Sequence, residues 1–262
     1  MDEVINFFTD TATLAIFDCS LLSHRLNDDC DWWSGSFENI EEVKKGDVSL
    51  ISLGADGEYK VRVTDEKLSG EERDYAKMVA VPLGLRVISG KVFIGKGECL
   101  PGEGLNCEES DIHEGEGKHI LIDNGLYQLH IYLIDWFDSP KYWNSDYKTT
   151  DNTPSDFVVL LSKREGDFKE LKKEPRLVSD DEEFLFDSST RVVGPIEGMQ
   201  LETKVWKNKS GLTLKECGPL DYKPYFDDYT NVQWKDRVTI RVIEVDHDEQ
   251  KMRCELVSKN NL

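Results

Sequence analysis

The chain has 262 residues, of which 52 are acidic and 32 are basic, so its formal net charge at neutral pH is -20. A field of this sign excludes nucleic acid and anionic membranes as direct partners and favours proteins with basic surfaces. Apolar residues make up 39% and aromatic residues 10% of the chain, which is enough for a core and excludes an acidic disordered chain. No apolar run is long enough for a membrane-spanning helix, and the first residues lack the basic region of a secretory signal, so a cytoplasmic location is expected.

Alternating apolar and polar residues predict a mainly β fold, with antiparallel, sandwich-like sheets in two lobes and a few short helices. A first strand is predicted over 13–17, followed by one or two helical turns over 19–26. A short helix is predicted over 37–46, because apolar residues three apart lead to Lys44, Lys45 and a glycine stop.

Three strand–turn–strand arrangements follow, and we expect each to be a hairpin. Their turns lie at 54–57, 89–90 and 123–125, with strands over 48–53, 58–63, 83–88, 91–94, 119–122 and 127–136; a further strand is predicted over 157–161. The first and third arrangements share a turn dipeptide followed by a tyrosine, Tyr59 or Tyr127. Internal duplication and ordinary reuse of a hairpin pattern both explain this echo.

The predicted organisation has three parts. These are an N-terminal β-rich domain with short helices over 1–163, a charged linker or surface excursion over 164–191, and a C-terminal lobe of β-hairpins over 192–262. The C-terminal hairpins are predicted over 199–217 and 237–257. In the second, Val238, Ile240 and Val242 are expected to face the core, since they alternate with polar residues.

No pattern indicates an enzyme or a cofactor. The glycine-rich segment 95–104 carries carboxylates that would repel a phosphate, so a surface loop is predicted. Cys19 and His24 could form a catalytic pair, although a cysteine at a strand end is more often a small buried hydrophobe. A possible metal-ligand group matches no zinc-site spacing, so no dedicated metal site is predicted; it comprises Cys107, Glu108, Asp111, His113 and His119. The six cysteines are expected to be reduced and mostly structural.

The most distinctive short feature is an acidic cluster followed by two adjacent tryptophans at 27–33. Aromatic side chains ringed by carboxylates can anchor a basic partner. The alternative is that one tryptophan packs into the core while the other lies at its edge. The predicted partner-binding residues are Asp28, Asp29, Asp31, Trp32, Trp33, Trp136 and Trp143.

The sequence resembles an uncharacterised bacterial family at 10–18, 24–26 and 31–33, and the resemblance covers about the first 135 residues, including 100–102. The resemblance implies a stand-alone, cytosolic and acidic protein. Similar small proteins are often encoded beside secreted antibacterial toxins and act as cognate immunity proteins. The resemblance implies no catalytic residue.

These observations predict a non-enzymatic, cytoplasmic protein that neutralises a basic partner protein, foremost a cognate toxin, without a cofactor. A monomer or small homo-oligomer is expected, because the negative charge opposes extensive self-association. Two alternatives stay open: a structural or scaffold protein of a secretion or phage-like assembly, and a hydrolase-like enzyme with an unrecognised site.

Overall fold

Strands dominate the part of the chain that the structure describes. The computed structural model describes residues 1–34, 40–136, 139, 141–142, 153–166, 195–208, 211–215, 222–246 and 249–259, and of 77–82 and 109 only the backbone. These residues contain fourteen strands, two short α-helices and several 3-10 turns. The predicted mainly β fold with few short helices is confirmed.

The strands of the first 166 residues form two sheets. They are β1 (Asp2–Thr9), β2 (Thr13–Phe17), β3 (Val48–Ser52), β4 (Gly57–Thr64), β5 (Ala76–Val87), β6 (Lys91–Lys96), β7 (Gly117–Leu121), β8 (Gly125–Ile134) and β9 (Phe157–Arg164). The first sheet has the order β1-β4-β9-β8-β5 and the second has the order β3-β2-β6-β7. Both sheets contribute to one apolar core, in which Phe7, Phe17, Leu50 and Phe93 are among the fully buried side chains.

The three predicted hairpins in this region are instead connections between the two sheets. β3 and β4, β5 and β6, and β7 and β8 each lie in different sheets. The chain crosses at these turns because the two strands on either side of each turn bury apolar residues in the same core from opposite sides. A turn dipeptide between alternating strands is compatible with both arrangements, so the local pattern could not distinguish them.

The topology repeats within these two sheets. In the first sheet, β1 and β5 are the two edge strands, and β4 and β8 are inner strands. In the second sheet, β2 and β6 are the inner strands, and β3 and β7 are the edges. Strands β1–β4 therefore occupy positions equivalent to those of β5–β8. The echo in sequence has an equivalent in structure, since the hydroxyls of Tyr59 and Tyr127 donate to the carbonyl oxygens of Ala55 and Asp123, each four residues earlier. This arrangement is what duplication of a four-stranded unit would produce, with β9 inserted between β4 and β8.

A third sheet is formed by the C-terminal strands. These are β10 (Gln200–Asn208), β11 (Gly211–Leu214), β12 (Lys223–Tyr225), β13 (Arg237–Asp246) and β14 (Lys251–Lys259), in the order β11-β10-β13-β14-β12. The two predicted hairpins, β10–β11 and β13–β14, are confirmed. Val238, Ile240 and Val242 are fully buried in a separate core, against which Ala76 and Tyr132 of the first sheet pack. Most of the predicted linker, from 167 to 191, lies outside the described residues, so the domain boundaries stay a prediction.

The two helices are α1 (Glu41–Lys45) and α2 (Gly70–Tyr75). α1 ends as predicted at Gly46, whose φ of 72° closes the last turn. The predicted start is wrong, because Ile40 has an extended backbone (φ -82°, ψ 118°) and the helix begins only at Glu41; residues 37–39 lie outside the described residues. α2 was not predicted; it begins with a capping box between Ser69 and Glu72. Neither helix has the length or apolar character needed to cross a membrane, as far as the described residues go.

Candidate protein-binding surface

The negative charge is unevenly distributed along the chain. Residues 1–191 contain 40 acidic and 21 basic side chains, whereas residues 192–262 contain 12 acidic and 11 basic ones. Two N-terminal segments, 19–34 and 97–116, hold ten acidic residues and a single arginine, Arg25. We call these two segments together the acidic pole.

Backbone hydrogen bonds join the two segments of the acidic pole. The amides of Glu103 and Gly104 donate to the carbonyl oxygens of Asp28 and Leu26, both at 2.8 Å. The indole of Trp32 donates to the carbonyl oxygen of Pro101 at 2.7 Å. The acidic loop after β6 is therefore held against the turn that carries the aspartates, although the two are about 70 residues apart in sequence.

Arg25 organises the first segment. Its guanidinium donates to the buried Glu42 carboxylate of α1 at 2.8 and 3.0 Å and to Asp28 at 2.7 Å. The same group lies over the ring of Trp32, 4.6 Å from its centroid. Burial opposes ionisation of Glu42, but hydrogen bonds from His24 and Arg25 outweigh it and lower the pKa of Glu42. Arg25 thus ties α1 to the acidic turn.

Three exposed carboxylates of the acidic pole lie close to one another in the structure. Asp29, Asp31 and Glu103 are exposed and make no ion pair with any of the described residues. They lie around the exposed thiol of Cys30. The pKa of this thiol is raised, chiefly by the negative charge of Glu103 and further by desolvation and by the charges of Asp31 and Asp29. Asp28 differs from them because Arg25 already neutralises it.

Of the predicted tryptophans, Trp32 lies at the surface and Trp33 does not. Trp32 is partly exposed, next to Arg25. Trp33 is 5% exposed and belongs to the main core, with its indole donating to the carbonyl oxygen of Cys30 at 3.0 Å. This is the alternative in which one tryptophan packs into the core and the other lies at its edge.

Trp136 is also a core residue. It is 4% exposed and packs between the rings of Tyr75 and Tyr142 at 5.4 and 5.0 Å, and its indole donates to the carbonyl oxygen of Ser155. Trp33 and Trp136 are therefore buried packing residues in this structure, and their predicted contact with a partner stays untested. Trp143 lies outside the described residues.

Cys19 and His24, considered above as a catalytic pair, each contact a different residue in the structure. His24 contacts Glu42 at 2.9 Å, whereas the thiol of Cys19 lies 2.8 Å from that of Cys107. The hydrogen bond from Cys19, together with burial, raises the pKa of Cys107. His119 contacts the carbonyl oxygen of Cys107 at 3.0 Å.

Sequence reasoning placed Cys107 near His119 but missed Cys19. Cys19 is 88 residues from Cys107, so no spacing pattern signals that the two thiols meet. Among the other members of the proposed metal-ligand group, Glu108 and Asp111 cap a 3-10 turn together. None of the described cysteines is in a disulfide, and their reduced state stays a prediction; they are Cys19, Cys30, Cys99, Cys107 and Cys254. Cys217 lies outside the described residues.

Comparison with known proteins gives a family but no function. No curated protein matches the chain in sequence. Two solved structures are similar at low level. One, "Crocagin biosynthetic gene J", is 14% identical, with a TM-score of 0.37, over 63% of this chain and 99% of that one. The other is ComJ from Bacillus subtilis, an inhibitor of the DNA-degrading activity of NucA; it is 10% identical, with a TM-score of 0.33, over 63% of this chain and 96% of that one. Likeness at this level carries no argument about function.

The family comparison covers the part of the chain that contains the acidic pole. The matching family model spans residues 1–134, which is just over half of the chain and includes β1 to β8. The chain therefore belongs to the family of unknown function DUF6386.

Proposed function

We propose that this protein is a non-enzymatic, cytoplasmic binding protein that neutralises a basic partner protein, and that the partner is a toxin delivered by a neighbouring cell. The observation that carries the proposal is the acidic pole, in which Asp29, Asp31 and Glu103 are exposed and have no ion pair among the described residues. Carboxylates left uncompensated on a folded surface are available to a cationic partner.

The pole combines charge with a fixed shape. Its two segments are joined by backbone hydrogen bonds, and Arg25 holds Trp32 in place. A surface that is already ordered loses little conformational entropy on binding. The carboxylates would accelerate encounter with the partner, and the partly exposed face of Trp32 would supply an aromatic contact. Against a nuclease, the same carboxylates would occupy the groove that binds phosphates.

The test starts from the genes that flank this one. Each flanking reading frame is expressed with and without this protein, and we expect one product that is basic, toxic and suppressed by co-expression. The association rate of the two purified proteins is then measured between 50 and 500 mM salt. It should fall markedly, because the Debye length shrinks from ~14 to ~4 Å over this range.

Two matched variants locate the binding surface. Asp29→Lys with Asp31→Lys should slow association, while Glu66→Lys with Asp74→Lys makes the same charge change at exposed acids outside the pole and should slow it much less. Equal slowing by both variants, or no response to salt, would show that the acidic pole does not steer the partner. Absence of any toxic or bound flanking product would overturn the function itself.

A further inference from the structure

Three side chains that can ligate a metal meet at the acidic pole, which contains two of them. They are the thiols of Cys19 and Cys107 and the imidazole of His119, and their ligand atoms all lie within 4.8 Å of one another. We infer that Cys19, Cys107 and His119 form a binding site for a transition-metal ion, with zinc as the preferred ion. The inference is independent of the proposed function.

The distances allow such a site with a small adjustment. Around a tetrahedral zinc ion, thiolate sulfurs about 2.3 Å from the metal lie roughly 3.8 Å apart. The two sulfurs are 2.8 Å apart without an ion, so they would separate by about 1 Å on binding. A separation of this size needs only a side-chain rotation, since Cys19 is partly exposed.

The backbone around the three ligands is fixed by contacts of its own. Cys19 opens a 3-10 turn that is capped by the buried carboxylate of Asp18. His119 lies in β7, paired with Phe93 of β6, and its ring meets the Phe93 ring edge at 5.4 Å. The His119 ring also contacts the carbonyl oxygen of Cys107 through Nε2 at 3.0 Å, and such a contact orients an imidazole that ligates a metal through its other nitrogen. Ligands held in this way bind an ion with little loss of conformational entropy.

A cleft gives an ion access to the ligands. Cys19, Cys107 and His119 all line an open cleft of about 710 Å³, together with Asn106 and Glu108. A site needs an entry path as well as ligands. Three protein ligands leave a fourth tetrahedral position for water.

The donor atoms select the type of ion. Two thiolates and an imidazole are the ligands that zinc takes in proteins, whereas calcium and magnesium take oxygen ligands. The negative charge of the pole would also raise the local concentration of cations. The predicted occupant is therefore a thiophilic divalent ion.

The experiment uses the full chain, reduced and freed of metal with a chelator, and titrated with cobalt(II) and zinc(II). Cobalt(II) bound to thiolates gives a charge-transfer absorption in the near ultraviolet. We expect one equivalent to develop this band and one equivalent of zinc to abolish it. Cys19→Ser and His119→Ala should each weaken cobalt binding by more than the roughly 10–100-fold that loss of an outer-shell partner costs.

Matched controls test the position of the site. Cys30→Ser removes an exposed thiol of the same pole, and His113→Ala removes a histidine of the same loop that is outside the cluster. Both should bind cobalt like the wild type. Circular dichroism of each variant checks that it is folded.

A second measurement needs no variant. Zinc should protect Cys19 and Cys107 of the wild-type protein from alkylation, as mapped by mass spectrometry, and leave Cys30 reactive. Protection of other cysteines, or absence of the thiolate band, would overturn the metal site. Recovery of Cys19 and Cys107 as a disulfide that, once reduced, still binds no metal would assign the pair to redox chemistry instead.

Discussion

The guanidinium of Arg25 lies over the ring of Trp32, with its central carbon 4.6 Å from the ring centroid. The same guanidinium is hydrogen-bonded to Glu42 and Asp28, so one side chain both supports the aromatic surface of the acidic pole and neutralises a buried carboxylate. This position makes the stability of the pole depend on Arg25 more than on any one of its acids.

We predict that Arg25→Ala lowers the free energy of unfolding by about 2 kcal/mol, because the buried Glu42 carboxylate loses its main cationic partner. Urea denaturation measures the change. The control is Arg241→Ala, which breaks an exposed ion pair whose side chains are 44% and 48% accessible and should cost less than about 0.5 kcal/mol. An equal loss in the two variants would contradict the role of Arg25.

The second prediction concerns Asp18, a fully buried carboxylate. It accepts hydrogen bonds from the amides of Ile88, Ser89 and Ser20 and from the Ser89 hydroxyl, at 2.7 to 3.0 Å. Burial by itself would raise the pKa of Asp18, but these hydrogen bonds outweigh it, so the pKa is lowered. A carboxyl group with a lowered folded-state pKa stabilises the protein above its unfolded-state pKa, and that stability is lost as the pH falls through the folded-state pKa.

Asp18→Asn should therefore destabilise the protein at neutral pH by about 1–3 kcal/mol, since buried donors lose a charged acceptor. The difference from the wild type should shrink once the pH falls below about 4, where the unfolded-state carboxyl is protonated. Denaturation at a series of pH values checks this. A difference that stays constant down to the acid limit would mean that the charge of Asp18 contributes nothing.

The sequence predicts most strands of this fold but not which sheet each joins. β2 is predicted because it is a continuous run of mostly apolar residues, which are buried on both faces. β13 is predicted because its apolar and polar residues alternate. β1 is missed because Val4 and Phe8 are apolar yet exposed, at 53% and 44%, which hides its alternation. The turn before Tyr59 joins strands of different sheets, and this depends on the core they share rather than on the turn residues.

The sequence predicts which residue types the acidic pole contains but not how these residues are arranged in space. The acids around Trp32 are visible in the sequence as a local cluster. Their association with Glu103 and the neutralisation of Asp28 by Arg25 follow from long-range contacts. The meeting of Cys19 with Cys107 is of the same kind, since only the packing of the acidic loop against β2 and its following turn brings the two thiols together.

The third prediction tests the burial of Trp33. A Cβ on Gly97 would lie 2.8 Å from Cη2 of Trp33 and 3.1 Å from the side chain of Thr13. Gly97→Ala should therefore destabilise the protein by about 1–3 kcal/mol, because a packed core resists an added carbon. The control is Gly70→Ala in α2, where a Cβ meets nothing within 4 Å. Alanine there should leave stability unchanged or raise it by up to about 1 kcal/mol. Similar effects of the two changes in thermal denaturation would mean that Trp33 is loosely packed.

The last prediction concerns self-association. A charge of -20 on a chain of 30.0 kDa repels a second copy, and the repulsion extends over ~14 Å at 50 mM salt. Size-exclusion chromatography with light scattering at this salt concentration should give the mass of a monomer or dimer.

The C-terminal part, residues 192–262, is nearly neutral and exposes Trp206 and Trp234 at 51% and 53%. Any association that appears at high salt should therefore weaken in Trp206→Ser or Trp234→Ser and persist in Asp29→Lys with Asp31→Lys. A stable ring of many copies at low salt would instead favour the scaffold alternative, since subunits that assemble against this repulsion must share an extensive interface.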